Sequence, residues 1–396
     1  MQFPPLRNEW LVGVSLLRAG SSGQDVRAIW CGLDCRSGTP LPRSLTQLPD
    51  RLLGLRRRAR GTDAHMSDQR PGSEVPRGFG APVAWVAGAS RGLGLALARE
   101  LGLAGYRVVI TARTAADLER ARELLQADGV SVRTIVHDVR DPVAARDVVA
   151  EVEATWGSID TVIAVAGLMK VGPLPQRAED YDQSIDIMLR GPINVVHAVL
   201  PSMQVRGDGR IGIVTSIAGL IPVPHLVPYT AAKFGALGFS RGLTEELRGS
   251  GISVSTIIPG LMRTGGHWHA DYSGQPGNEY AWFTALSALP VISIEADRAA
   301  KIIVGGVLRG RSKIIFTLPA LAGDLLYRLS PEAVGLLLGW AGRLLPGPGD
   351  DQQPGFRAAR GVTSDAFTRI TGPARRAVRR WNQQGAHQSG GDASGS

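Results

Sequence analysis

Short apolar runs alternate with amphipathic stretches from about Ala81 onward. The apolar runs carry few polar side chains, which is typical of parallel strands buried on both faces. We predict strands at Val83–Val86, Arg107–Thr111, Val132–Val136, Thr161–Val165, Ile211–Thr215, Val254–Ile258 and Lys313–Phe316. The stretches between them repeat apolar residues every three or four positions, which predicts helices. We predict helices at Leu93–Leu103, Ala115–Gln126, Val143–Thr155, Asp180–Met203 and Tyr229–Arg248.

This order of elements predicts an α/β fold of Rossmann type, a doubly wound parallel sheet in three α/β/α layers. We place that domain at residues 81–320, with a lid at 261–289, followed by an apolar helical segment at 321–346. Within that segment, Pro331–Pro346 is too short to span a bilayer. A core or interface helix is favoured there, and a peripheral membrane contact stays open as the less favoured alternative.

Neither flank shows a sustained period. Residues 1–80 are predicted to be a disordered extension, with two alternatives open: translation starts naturally at Met66 instead of Met1, or the segment is a basic binding arm. Residues 347–396 are rich in Gly, Gln, Ser and Arg and are predicted to be a disordered basic tail, apart from a basic helix near Ala374–Trp381.

The net charge of +9 lies in the flanks, with +5 in residues 1–80 and +4 in residues 351–396. The domain between them is neutral, so we expect no nucleic-acid partner for it. Cys31 and Cys35 form a lone pair outside the domain, which predicts neither a zinc site nor a disulfide framework. With no signal peptide and no run of about 18 apolar residues, we expect a cytoplasmic protein.

A glycine-rich turn lies between the first predicted strand and the first helix, and reads Gly88-Ala89-Ser90-Arg91-Gly92-Leu93-Gly94. Gly88 permits a tight turn, Gly92 lets the backbone approach a pyrophosphate, and Gly94 lets the helix pack closely. The helix N-terminus offers free N–H groups to phosphates. The turn therefore predicts a dinucleotide site.

The end of the second strand indicates which dinucleotide. Arg113 is found where an NAD site usually has Asp or Glu, and Arg91 lies in the glycine turn. Two guanidinium groups suit a 2′-phosphate, so we predict NADP(H) in preference to NAD(H). At the end of the third strand, Asp138 is predicted to accept from the adenine amino group and Val139 to give an apolar contact. A helix-capping role for Asp138 stays open.

Candidate chemistry lies at the start of the last long helix, where Tyr229 and Lys233 are four residues apart and share one face. We expect the Lys233 cation, with an oxidised nicotinamide, to lower the pKa of Tyr229 so that it can exchange a proton with an alcohol or carbonyl. Ser216, at the end of the strand Ile211–Thr215, is predicted to hold the substrate oxygen.

Together these motifs resemble the short-chain dehydrogenase/reductase family over roughly residues 81–316. The matching residues are the glycine turn Gly88–Gly94, Asp138, Gly167, Ser216, Tyr229, Lys233, Pro259, Gly260 and Thr264. The resemblance implies NAD(P)(H), a Ser-Tyr-Lys mechanism, cofactor contacts from Gly167, Tyr229, Lys233, Pro259, Gly260 and Thr264, and dimers or tetramers through the two long helices.

The chain departs from the family pattern at three places. Ala87 replaces the usual Thr before the first glycine, and Ala164-Val165-Ala166-Gly167 replaces Asn-Asn-Ala-Gly. Met188 replaces the helix Asn that helps to hold a water near the lysine, and Met cannot order a water in that way. The proton route from Lys233 is therefore in question.

The lid contains His267, Trp268, His269, Tyr272, Tyr280, Trp282 and Phe283. These aromatics either face a bulky or apolar substrate or pack the lid against the sheet. The leading hypothesis is an NADP(H)-dependent oxidoreductase acting on a small-molecule alcohol or carbonyl, with no metal. The alternative is a catalytically weak NADP(H)-binding sensor or scaffold.

Overall fold

The computed structural model describes residues 80–289, 292–362 and 365–383. The expectations for residues 1–79, including Met66 and the two cysteines, lie outside them. The central sheet contains β1 (Val83–Ala87), β2 (Arg107–Ala112), β3 (Val132–Val136), β4 (Ile159–Ala164), β6 (Gly209–Val214), β7 (Ile252–Ile258) and β11 (Lys313–Ile315). Their order is β11-β7-β6-β4-β1-β2-β3, and every neighbouring pair is parallel. The predicted doubly wound sheet is confirmed.

Helices cover both faces of this sheet. They are α1 (Gly92–Leu103), α2 (Ala115–Ala127), α3 (Pro142–Trp156), α4 (Ala178–Ile185), α5 (Gly191–Arg206), α6 (Val227–Glu246) and, later in the chain, α8 (Ala296–Leu308). One core joins the sheet to α1, α2 and α8, and the other joins it to α3, α5 and α6. The chain changes direction between β1 and β4, which is where such sheets open a ligand crevice.

Two helical segments differ from the prediction. The segment expected to be one helix over Asp180–Met203 is α4, a π-helical turn at Asp186–Arg190, and α5. Pro192 has no N–H to donate to the carbonyl of Met188, so the α-helical ladder is interrupted there. Helix α8 was not predicted, although Ala299, Ala300, Ile303, Val304 and Val307 have helical spacing and are buried.

The predicted lid contains β8 (Leu261–Arg263), β9 (Asp271–Gly274) and α7 (Pro276–Ala288). Strand β8 pairs with β10 (Ser293–Glu295), and β9 pairs with β5 (Lys170–Val171). On its other edge, β9 pairs antiparallel with β12 (Asp351–Pro354). The lid is therefore joined by strand pairing to a segment from the C-terminal part of the chain.

The prediction of a disordered tail from residue 347 is wrong for most of its described residues. This region forms β12, α11 (Gly355–Ala358) and α12 (Asp365–Arg380), and the predicted basic helix near Ala374–Trp381 is the last part of α12. Ala374, Ala377, Val378 and Trp381 are buried. Small apolar residues on one helix face supply the packing that the polar composition concealed.

The apolar segment at 321–346 falls in α9 (Leu318–Leu329) and α10 (Pro331–Gly342). Leu336 is 77% exposed, Leu337 66% and Trp340 64%, so these side chains do not enter a core of the described residues. The prediction of a core helix is therefore wrong for the face of α10 that carries these side chains. The predictions of an interface helix and of a membrane contact are untested. Within the described residues, no helix has the length and apolarity needed to cross a membrane.

Candidate active site

The glycine turn is tightly packed at the carboxyl end of β1. Gly88 has φ of +97°, and a Cβ there would lie 2.5 Å from the backbone of Ala166. A Cβ on Gly94 would lie 2.2 Å from the carbonyl oxygen of Gly88. Neither position accepts a side chain. Ser90, Gly92 and Leu93 are also buried in this turn.

Two arginines pair with one carboxylate beside the turn, and a third lies near them. Asp117, in the first turn of α2, forms ion pairs with Arg91 and Arg120. Arg113 is exposed at the end of β2. Burial, followed by repulsion from Arg113 and Arg120, lowers the pKa of Arg91. Asp117 and Arg120 were missed by sequence reasoning, although an acidic residue in a first helical turn is a recognisable signal.

Asp138 lies at the next strand end, and its carboxylate is held by Arg140. The Nε atom of Arg140 donates to it at 3.0 Å, and this hydrogen bond lowers the pKa of Asp138. The cap of α3 is Asp141, so the capping alternative for Asp138 is wrong. Val139 is buried, with its Cγ2 2.8 Å from the position of a Cβ on Gly191.

The three predicted catalytic side chains come together. Ser216 lies two residues after the end of β6, and Tyr229 lies in the first turn of α6, where the Ser216 hydroxyl acts to lower its pKa. The Ser216 Oγ also accepts from the backbone N–H of Ala218 at 3.1 Å. Lys233 Nζ lies 5.7 Å from the centre of the Tyr229 ring and donates to the carbonyl of Val214 at 2.8 Å.

The electrostatics of this group differ from the expectation. Burial raises the pKa of Tyr229, and the hydrogen bond from Ser216 offsets this only in part. Burial also lowers the pKa of Lys233 to about 8. Burial thus raises the pKa of Tyr229 where a lowering was expected, and the lowering by Lys233 together with an oxidised nicotinamide stays a prediction.

Met188 lies in the π-helical turn and is fully buried among apolar side chains. Its Sδ lies 3.7 Å from the position that a Cβ on Gly167 would take, just after β4. The place of the family's helix Asn is thus filled by a side chain that packs. The Met188 side chain has no amide group that could order a water as the family's Asn does.

The turn after β7 completes the same edge of the sheet. The carbonyl of Pro259 accepts from the N–H of Ile217 at 2.9 Å, which ties this turn to the Ser216 loop. A Cβ on Gly260 would lie 2.3 Å from Thr317 Oγ1. The Thr264 carbonyl accepts from Gln383 Nε2 at 3.0 Å, so the C-terminal region reaches this edge as well.

The lid aromatics were expected either to face a bulky or apolar substrate or to pack the lid against the sheet. Tyr272, Tyr280 and Phe283 are buried together, and Tyr280 also contacts Phe367 of α12. Trp282 is only partly buried and, like Tyr229, packs against this cluster. Tyr272, Tyr280 and Phe283 therefore pack the lid and the C-terminal helix.

Two buried polar groups near the lid were missed. Glu279 is fully buried and bonds His225, four residues before Tyr229, and Trp282. Lys170 lies between Asp180 and Asp271, and although burial opposes its charge, these carboxylates raise its pKa. Their partners are far apart in sequence, so no local pattern signals them.

The fold and this edge define a class: a Rossmann-type oxidoreductase with a Ser-Tyr-Lys site. A family model described as short chain dehydrogenase matches residues 82–271. The 3-dehydrosphinganine reductase TSC10A of Arabidopsis thaliana is 34% identical over 232 residues, covering 57% of this chain and 68% of that protein. The chain belongs to the short-chain dehydrogenase/reductase family. It is an NAD(P)-dependent enzyme acting on an alcohol or carbonyl group.

Other relatives agree with this assignment. Gluconate 5-dehydrogenase of Gluconobacter oxydans is 34% identical over 46% of this chain and 71% of that protein. A solved short-chain dehydrogenase from Streptomyces avermitilis has a TM-score of 0.58 at 25% identity, covering 67% of this chain and 99% of that one. An actinorhodin polyketide ketoreductase with NADPH has a TM-score of 0.51 at 28% identity, covering 59% and 94%.

Proposed function

We propose that the protein reduces a carbonyl group of a bulky or apolar substrate with NADPH. The observation that carries this proposal is that Ser216, Tyr229 and Lys233 lie together, with the buried Lys233 Nζ 5.7 Å from the centre of the Tyr229 ring. A bound nicotinamide ring supplies the hydride. The residues of this chain orient the carbonyl and hold the proton that its oxygen receives.

The protonated hydroxyl of Tyr229 suits the reduction of a carbonyl group. A tyrosine that is protonated at neutral pH is ready to donate to a carbonyl oxygen as charge develops there. Because Ser216 Oγ already accepts from the Ala218 N–H, its own proton is free to point at Tyr229 or at the substrate oxygen. Ser216 therefore orients the oxygen while Tyr229 gives up the proton.

The residues fit a dinucleotide. The glycine turn leaves no room for side chains at Gly88 and Gly94, and the N-terminus of α1 presents backbone N–H groups. The turn Gly88–Gly94, with Asp138 and Val139, would hold the adenosine diphosphate part. Gly167, Tyr229, Lys233, Pro259, Gly260 and Thr264 would hold the nicotinamide half.

Charge supports NADP(H) over NAD(H). Arg91 and Arg120 pair with Asp117, while Arg113 acts on Arg91 and, with Arg140, on Asp138, so four guanidinium groups face two carboxylates and positive charge is in excess. We expect Arg113→Ala to weaken NADPH binding about tenfold at low salt and to leave NADH binding nearly unchanged. Arg122→Ala on the exposed face of α2 is the matched control. Equal losses for both dinucleotides would contradict the 2′-phosphate assignment.

The surroundings of Tyr229 support an apolar substrate. Val223, Leu226 and Trp282 pack in the same cluster as Tyr229, and Ile217 and Ile221 lie one and five residues after Ser216. Relatives named for reducing 3-dehydrosphinganine and a polyketide are consistent with such a substrate.

The test is NADPH oxidation across a panel of aliphatic, steroid and polyketide-like ketones and quinones. We expect Tyr229→Phe to lower kcat/KM by about a hundredfold or more. Tyr106→Phe is the control, because Tyr106 lies before the amino end of β2, whereas the candidate site lies at the carboxyl ends of the strands. Turnover that survives Tyr229→Phe would overturn the assignment.

A second candidate function is an NADP(H)-binding sensor or scaffold with little catalysis. Met188 favours it, because a buried thioether stands where the family's proton route has an amide. Tight NADPH binding without turnover on any substrate of the panel would select this candidate.

We also propose that the enzyme is a cytoplasmic homodimer or homotetramer formed through α4, α5 and α6. Phe234, on α6, is 39% exposed and supports an apolar contact there. Light scattering of the parent and of Phe234→Asp tests this proposal. A monomeric parent would overturn it.

A further inference from the structure

The chain beyond α12 returns to the glycine turn. The N–H of Gly92, the first residue of α1, donates to the carbonyl oxygen of Trp381 at 2.9 Å. Donors at this end of a helix have no partner inside the helix and are the ones that bind phosphate oxygens. A backbone carbonyl of the same chain therefore takes a position that suits an anion.

Asn382 fixes the chain on the other side of the turn. Its Nδ2 donates to the carbonyl oxygens of Ser90 at 2.8 Å and Asp117 at 3.0 Å. Its Oδ1 accepts from Arg120 Nε at 3.2 Å. These partners belong to the glycine turn and to the arginine cluster that the 2′-phosphate would use.

Gln383 spans the crevice. Its Nε2 lies 2.9 Å from the position of a Cβ on Gly92 and donates to the carbonyl of Thr264 at 3.0 Å. Its backbone oxygen lies 2.7 Å from His269 Nε2, and His269 also contacts Arg91. One side chain thus bridges the two walls between which a pyrophosphate would lie.

Two residues before Asn382 and Gln383 hold this segment against the rest of the protein. Trp381 is 4% exposed and packs in the core beside α1, and Arg380 forms an ion pair with Asp297 of α8. The family model matches residues 82–271, so Trp381–Gln383 lie outside the matched part although their partners Ser90, Gly92 and Thr264 lie within it.

We propose that Trp381–Gln383, here called the C-terminal plug, is an internal ligand of the dinucleotide crevice that must withdraw before the dinucleotide binds. The plug and a pyrophosphate need the same Gly92 N–H and the same space beside Thr264. The apparent affinity for NADP(H) is then the intrinsic affinity reduced by the fraction of molecules in which the plug has withdrawn. This inference rests on the proposed NADP(H)-dependent function.

The test compares four proteins at one salt concentration by calorimetric titration with NADPH. They are the full chain, a chain ending at Gln383, a chain ending at Arg380, and the double variant Asn382→Ala/Gln383→Ala. The double variant keeps the buried Trp381, so it stays informative if the shorter truncation fails to fold. We expect the double variant and the chain ending at Arg380 to bind about tenfold more tightly than the full chain. The chain ending at Gln383 should bind like the full chain.

Hydrogen exchange supplies a second readout that is independent of activity. We expect NADPH to decrease the protection of the peptide covering residues 377–383, because the bound dinucleotide displaces it. Increased protection would make the segment a clamp over the cofactor and overturn the plug. Unchanged NADPH affinity in the double variant, with turnover intact, would overturn the plug alone. No binding of NADPH or NADH by any of the four proteins would overturn the proposed function together with the plug.

Discussion

The Nδ1 atom of His225 lies 2.8 Å from the Oε1 atom of Glu279, between the loop that precedes Tyr229 and the lid helix α7. Trp282 Nε1 donates to the other carboxylate oxygen at 2.6 Å, and Glu279 is fully buried. His225 has φ of +61°, a strained conformation for a residue with a side chain. The pair therefore holds a strained loop and the lid in one arrangement near Tyr229.

Replacing Glu279 tests this link. Glu279→Ala leaves two nitrogen donors without their acceptor, and we expect it to lower the free energy of unfolding by about 3 kcal/mol. Glu279→Gln still offers an amide oxygen to Trp282 and should cost about 1 kcal/mol. Urea unfolding measures both, and kcat should fall further in the alanine variant. Equal costs for the two variants would show that the carboxylate position does not hold the loop.

The buried Lys233 predicts a stability that depends on pH. Its pKa of about 8 in the folded protein lies below the ordinary 10.5, so the unfolded chain binds the proton more tightly. The cost of burying the ammonium is therefore complete below pH 8 and disappears as pH rises towards 10.5. A shift of this size corresponds to a cost on the order of 3 kcal/mol.

Lys233→Met removes that cost together with activity. Because the variant also loses the hydrogen bond to the Val214 carbonyl, we expect a net stabilisation of about 2 kcal/mol at pH 7. The difference from the parent should shrink at pH 8, 9 and 10 in urea unfolding. A difference that stays constant across this range would contradict the lowered pKa.

Met188 gives a third prediction, about stability. Its side chain is fully buried and packs by Gly167, so Met188→Asn, the family residue, places an amide among apolar neighbours. We expect a loss of about 2 kcal/mol in the free energy of unfolding for Met188→Asn and less than about 1.5 kcal/mol for Met188→Leu. If the Asn variant matches the parent, a polar partner or water already serves this position.

The sheet could be predicted because each strand carries its own signal. Strands buried on both faces read as apolar runs whatever their neighbours are, and the observed ends of β1 and β3 lie within one residue of the prediction. Ser216 and Tyr229 could be proposed as site residues for the same reason, since Ser216 follows a strand and Tyr229 lies in the first turn of a helix, with Lys233 one turn further on. A parallel sheet brings such positions to one edge.

Contacts between distant parts of the chain could not be predicted. Asn382 and Ser90 are separated by 292 positions, and His225 and Glu279 by 54. The tail has a polar composition that suggests disorder, and its packing rests on a few small side chains and Trp381. The raised pKa of Tyr229 results from burial, and the spacing of Tyr229 and Lys233 in the sequence does not indicate how deeply they are buried.

His267 links the lid to the C-terminal helix in a way that acid should disrupt. It is 4% exposed and contacts the Tyr280 ring, with the centroids 5.8 Å apart. Burial, followed by the positive charge of Arg375 on α12, lowers the pKa of His267 to about 4. The unfolded chain binds this proton more tightly, so the stability that neutral His267 allows is present above pH 6.5 and is lost as pH falls towards 4.

We expect this loss to be on the order of 3 kcal/mol and to be absent from His267→Asn, which cannot titrate. Urea unfolding of the parent and the variant at pH 7, 6 and 5 measures the difference between their slopes. The exposed His197, replaced as His197→Asn, is the matched control and should leave the parent's slope unchanged. Identical pH slopes for the parent and His267→Asn would place the acid-sensitive group elsewhere.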